Sequence, residues 1–225
     1  MSCGYHIHAS TCSSGYNIHQ LRRVAKSVVL WEEATDRCAP PSRQDQVMTF
    51  CKSNVDHEVE VSQLLRQDDH ARGFSEAFAA IDSRSRNELV QYVCPDKYRA
   101  WNFRPSKVGG HGSIEFRRPP GVVTAKKAKH WIAFTMAFIE MAMSQDLEDF
   151  IQARLPSLDV RPSQLSEFED LLLASARTAG VYSQLDPRLR QTDEPLTLYT
   201  SMVNLKDLAW LRRFDESYGV PTPGI

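Results

Sequence analysis

Cys3-Gly4-Tyr5-His6-Ile7-His8-Ala9-Ser10 alternates with a period of two, and this alternation most constrains what the chain can fold into. A helix of about 3.6 residues per turn would scatter these side chains around its surface, whereas a strand sends successive ones to opposite faces. Cys3, Tyr5, Ile7 and Ala9 share one face, and Gly4, His6, His8 and Ser10 the other. The segment therefore reads as a half-buried strand with two imidazoles on its polar side. Ser113-Ile114-Glu115-Phe116-Arg117 alternates in the same way, with Ile114 and Phe116 inward and Ser113, Glu115 and Arg117 opposite. Register is firm in both, because a slip of one residue would turn the apolar set to water.

Between and after these strands the period changes to that of helices. From Asn17, Ile18, Leu21, Ala25 and Val28 make one apolar stripe with Arg22, Arg23 and Lys26 off it, which predicts a helix to about Arg37, stopped before Pro40-Pro41. Residues 55 to 93 are charge-rich with helical spacing at Phe74, Phe78 and Ile81 and again at Leu89, Val90 and Val93. Tyr98 to Phe103 reads as a short strand, and Gly109-Gly110-His111-Gly112 as a turn. Thr124 is placed to cap a long helix with Ala128, Trp131, Ile132, Phe138, Ile139 and Ala142 on its apolar side. Ser166 with Glu169 has the spacing of a capping box, opening a helix through Leu171, Leu172 and Ala176 that Gly180 can end. Leu205 to Phe214 is a last amphipathic piece before a Pro- and Gly-containing tail. The expected class is α+β, an antiparallel sheet backed by helices. Residues 1–150 form the core, and residues 151–225 a helical extension of the same domain.

With 225 residues, 42% of them apolar, the chain can bury a real core. Lys and Arg number 27 against 28 Asp and Glu, a net charge of −1 that draws the molecule neither to nucleic acid nor to an anionic membrane. No leader with a basic start and an apolar run follows Met1, and no apolar stretch reaches the roughly 18 residues that span a bilayer. The five cysteines, Cys3, Cys12, Cys38, Cys51 and Cys94, are odd in number and irregular in spacing. A reducing, cytoplasmic compartment is expected.

The chemistry concentrates on the two polar strand faces. Side by side, they would bring His6 and His8 together with Glu115 and Arg117. Imidazole and carboxylate can hold a divalent cation, and the planar fork of an Arg suits phosphate or carboxylate. Each motif also has a plainer reading. His-x-His on a strand is often merely solvated, and Glu-x-Arg is often an ion pair. Cys3 and Cys12 have no finger-like spacing and read better as idle thiols than as zinc ligands. The glycine turn at 109–112 lacks the Gly-Lys-Ser/Thr ending of a phosphate loop.

Cys3-Gly4-Tyr5-His6-Ile7-His8 resembles the Cys-Gly-Leu-His-Val-His segment of the amidoligases, relatives of glutamine synthetase and glutamate-cysteine ligase, and Ser10 completes the related Gly-Met-His-x-His-x-Ser form of glutamine synthetase. Trp31-Glu32 and Pro41-Ser42-Arg43 are similar to that family's helix-end Glu and Pro-Ser-Arg. Tyr98-Arg99-Ala100-Trp101-Asn102 resembles its Tyr-x-x-Leu-Asn, and Gly112-Ser113-Ile114-Glu115-Phe116-Arg117 its Gly-Thr-Ile-Glu-Phe-Arg. The resemblance covers roughly residues 3 to 143.

It implies a glutamine-synthetase-like catalytic half-barrel, a curved antiparallel sheet holding ATP and Mg or Mn. By carry-over, His6 and Glu115 hold metal, His8 and Asn102 lie on the nucleotide, and Arg117 and Arg43 serve catalysis. The implied partners are small-molecule or peptide carboxylates and amines, joined through an acyl phosphate. After Glu-Phe-Arg this chain has Arg118-Pro119-Pro120-Gly121 in place of the family's Gln-His-Glu-Gly. The family's opening Gly-x-Glu-x-Glu strand has no counterpart in the sequence, so the expected domain is shortened at its N-terminus. The alternatives are a non-catalytic binding or scaffold relative and a metal-dependent hydrolase built on His6, His8 and Glu115.

Overall fold

A computed structural model describes residues 4–11, 15–44, 50–66, 69–152 and 165–192. Up to Gln191 they belong to one compact unit, while Cys3, Cys12 and the piece from Leu205 to Phe214 lie outside the described residues. Three short strands, β1 (Ile7–Ala9), β2 (Trp101–Asn102) and β3 (Ile114–Phe116), form an open antiparallel sheet in the order β1-β3-β2. Around it stand α1 (Ile18–Cys38), α2 (Ser62–Leu65), α3 (His70–Ser83), α4 (Arg86–Val93), α5 (Ala125–Ser144), α6 (Leu147–Gln152) and α7 (Leu165–Thr178). The fold is α+β, with helix in excess.

Local chemistry sets the helix ends. The Asn17 side chain accepts from the Gln20 amide while Gln20 reaches back to the Asn17 amide, closing a capping box at the start of α1. At the other end, Pro40 and Pro41 cannot extend the helix, and Pro41–Arg43 forms a single 3₁₀ turn. Thr124 caps α5 by accepting from the Lys127 amide. Ser166 does not cap α7, because the helix already includes the buried Leu165; Glu169 pairs instead with Arg190. Gly180, at φ 70°, follows the end of α7 in the left-handed conformation that Gly adopts without strain.

The apolar side of the sheet packs on α5. Trp101 is stacked between Phe116 and Phe138, with ring centroids 4.3 and 4.5 Å away, and Phe134 stacks on Phe116. Ile132, expected on this side, is 38% exposed, because Trp131, Phe134 and Phe138 set the stripe and Ile132 lies off it. Lys26, expected off the apolar stripe of α1, is buried. Its ammonium is 2.7 Å from Asp82 of α3 and also pairs with Glu148 of α6, which compensates for its loss of water. No helix among the described residues is long and apolar enough to cross a membrane.

Candidate functional site

Strand register brings the site together. In the antiparallel ladders Glu115 lies directly opposite His8 on β1 and opposite Asn102 on β2, so both flanking strands present a polar side chain to the same carboxylate. Ile7, Ala9, Ile114, Phe116 and Trp101 occupy the alternate positions and turn toward the core. Burying that apolar set is what commits His8, Glu115 and Asn102 to the other face.

Glu115 is the centre of this arrangement, and although it points away from the core it is only 5% exposed. Asn102 Nδ2 donates to its Oε2 at 2.7 Å, and Arg117 Nη1 donates to its Oε1 at 2.7 Å. His6 Nδ1 is 3.0 Å and His8 Nε2 3.7 Å from the same Oε1. Burial, and after it the Arg117 guanidinium, hold the His6 imidazole below its usual pKa against the opposing pull of Glu115. His6 is therefore biased toward the neutral, lone-pair-bearing form that can donate to a cation.

Arg43 borders this cluster on the His6 side, since a β-carbon at Gly4 would be 3.3 Å from His6 Nε2 and 2.7 Å from Arg43 Nη2. It is 2% exposed, with Nε donating to the main-chain oxygen of Arg118 at 3.1 Å and Nη2 to that of Arg117 at 2.7 Å. The side chain thus grips the backbone at Arg117 and Arg118, where β3 leaves the sheet.

Three further features surround the cluster, two of them not legible as functional in the sequence. Arg118 is fully buried and donates to Glu32 Oε1 at 2.6 Å and to Asp36, tying the end of β3 to α1. The turn at Gly109-Gly110-His111-Gly112 brings the His111 ring to 5.8 Å from that of His8. Ser113 Oγ is 3.0 Å from His8 Nδ1 and orients that ring. The alternation of Ser113 with Glu115 was a signal for the last; nothing in the sequence marked the other two.

Glu115, His6 and His8 can offer a divalent cation one carboxylate and imidazole nitrogen. Among the described residues, no group of three or more His, Cys, Asp or Glu side chains is arranged to hold an ion. Arg117 also occupies Glu115 Oε1. These donors fit a shared shell, in which Mg or Mn keeps water and takes phosphate oxygens from a substrate, and do not fit a closed protein cage.

The described cysteines Cys38, Cys51 and Cys94 are buried, and none is in a disulfide among the described residues. Burial pushes Cys38 up to about 12 and Cys94 up to about 11, so both are inert thiols at neutral pH. No curated protein sequence and no solved structure matches this chain. A family model described as "Putative amidoligase enzyme" matches residues 1–139 and so contains all the strands, Glu115 and each polar group around it. The chain belongs to this amidoligase family.

Proposed function

We propose that the polar face of the sheet is the reaction centre of an ATP- and Mg-dependent carboxylate-amine ligase, and that the three strands are part of a glutamine-synthetase-like catalytic sheet. The observation that carries this reading is the convergence of His6, His8, Asn102 and Arg117 on the single buried carboxylate of Glu115. A solvated His-x-His would have no such focus.

In the proposed reaction an oxygen of the substrate carboxylate attacks the γ-phosphorus of ATP, and the bond to ADP breaks. The amine nitrogen then attacks the acyl carbon, phosphate leaves with the C–O electron pair, and the amine gives up a proton. His6 and Glu115 would hold Mg or Mn, which supplies positive charge against the phosphoryl oxygens. Arg117, whose Nη2 is not taken up by Glu115 or the Phe50 carbonyl, binds the phosphoryl or carboxylate anion as charge moves onto it. Asn102 fixes one carboxylate oxygen and keeps Glu115 from rotating, and His8, held by Ser113, lies toward the phosphates. Arg43 serves by fixing the backbone from which Arg117 projects. Small-molecule or peptide acids and amines are the partners in this reading, the compartment is the cytoplasm, and neither nucleic acid nor membrane takes part.

One observation favours a second reading. Arg117 already neutralises Glu115, and a carboxylate so paired is a poorer metal ligand, as it would be in a relative that kept the sheet only for binding. A melting curve separates the two. At a hundredfold excess over its Kd, Mg-ATP should raise the melting temperature by about 5 °C, and Glu115→Gln and Arg117→Ala should each remove that rise while keeping the fold. A parent protein that melts identically with and without Mg-ATP would leave the non-catalytic reading.

A further inference from the structure

Beside the Glu115 cluster lies a small aromatic surface to which the reaction outlined above gives no task. Phe50 is 52% exposed and Tyr98 37%. Their rings meet edge to face, with centroids 5.7 Å apart. The pair is held in place by its backbone, since the Lys52 amide donates to the Tyr98 carbonyl at 2.8 Å and the Ala100 amide to the Lys52 carbonyl at 2.7 Å. An ordered aromatic pair left in water forgoes the burial that stabilises such rings elsewhere in the chain.

Its neighbours are cationic. Arg117 Nε donates to the Phe50 main-chain carbonyl at 3.4 Å, so one guanidinium links Glu115 to the backbone that carries Phe50. With Nη1 on Glu115 and Nε on Phe50, Nη2 of Arg117 has no partner among the described residues. Lys97 Nζ lies 5.3 Å from the centre of the Tyr98 ring. Tyr98 itself lies in the turn that leads into β2. A flat apolar surface with a spare guanidinium donor at its edge is complementary to an anion carrying a ring.

We infer that Phe50, Tyr98 and Arg117 form the acid-specificity subsite of the proposed ligase, taking a carboxylic acid with an aromatic side chain, its ring on Phe50 and Tyr98 and its carboxylate on Arg117. This rests on the proposed ligase reading for its role, though not for its binding chemistry. Phe50 and Tyr98 are specificity residues, and because both are exposed they can be truncated without opening the core.

The test compares 3-phenylpropanoate with propanoate by calorimetric titration of the purified full chain, with Mg-ATP melting curves recorded on the same samples. The phenyl acid should bind about tenfold or more tightly than propanoate. Phe50→Ala/Tyr98→Ala should erase that ratio and leave propanoate binding unchanged, Phe50→Tyr should retain it, and Arg117→Ala should weaken both acids. Equal affinity of the parent for the two acids overturns the inference, as does a ratio that survives the double substitution. Adenosine that displaces the phenyl acid and loses its own binding in the double variant would assign the rings to the nucleotide base and also overturns it. A Mg-ATP shift without acid discrimination sinks this subsite alone, whereas discrimination without a Mg-ATP shift sinks the ligase reading and leaves the subsite.

Discussion

His130 allows a stability measurement that reads a single proton. It lies in α5, 1% exposed, where Nδ1 accepts the Asp186 amide at 3.0 Å, and its ring is edge-on to Trp131 with centroids 4.8 Å apart. An accepting Nδ1 leaves the proton of the neutral ring on Nε2, and a second proton would confront the Asp186 N–H donor to donor. Burial lowers its pKa from 6.5 to about 4, opposed by Asp186 and assisted by Lys127. The unfolded chain therefore takes up this proton first, and the stability that the neutral ring contributes is complete above pH 6.5 and lost as pH falls toward about 4. At about 1.36 kcal/mol per unit, lowering the pH from 7.5 to 5 removes about 2 kcal/mol, and the whole shift about 3 kcal/mol.

Urea unfolding followed by tryptophan fluorescence at those two pH values should place the parent midpoint about 1 M lower at pH 5 on this account. His130→Asn keeps an acceptor for the Asp186 amide without a titrating ring, so its pH dependence should be smaller by about 2 kcal/mol. His6, whose pKa is also lowered, contributes in the same direction in both proteins and cancels in the comparison. Parallel pH dependence of the two proteins between pH 7.5 and 5 would refute the reasoning.

Arg118→Met should cost about 3–5 kcal/mol in chemical denaturation, because it leaves the buried carboxylate of Glu32 without the guanidinium it faces; a loss below about 1 kcal/mol would show the network to be dispensable. Gly15→Ala should lower stability by about 1–3 kcal/mol, since φ there is 78° and a β-carbon would lie 2.6 Å from the Gly112 backbone. Amide shifts at Ser113 and His8 in an NMR spectrum would report the displaced turn, and an unmoved spectrum would count against the contact.

Periodicity alone was enough to identify both histidine- and glutamate-bearing strands and their inward partners, since Ile114 and Phe116 are fully buried and Ile7 half-buried. The start of α1 at Ile18 and of α5 after Thr124 were equally legible, because a cap or a change of period acts within one turn of chain. Two side chains were misplaced for a common reason: Lys26 reads as a surface cation until Asp82 and Glu148, far along the chain, are brought against it, and Ile132 reads as core until Phe134 and Phe138 take the sheet. The candidate site divides along the same line. The polar faces are written in residues 6–8 and 113–117, but their meeting depends on β3 lying between β1 and β2, a pairing made across more than a hundred residues for β1. Arg118 in its carboxylate pocket, His111 beside His8, and Phe50 against Tyr98 are all long-range contacts. No local propensity encodes such contacts, because each follows from how the apolar faces of the helices and the sheet are buried together.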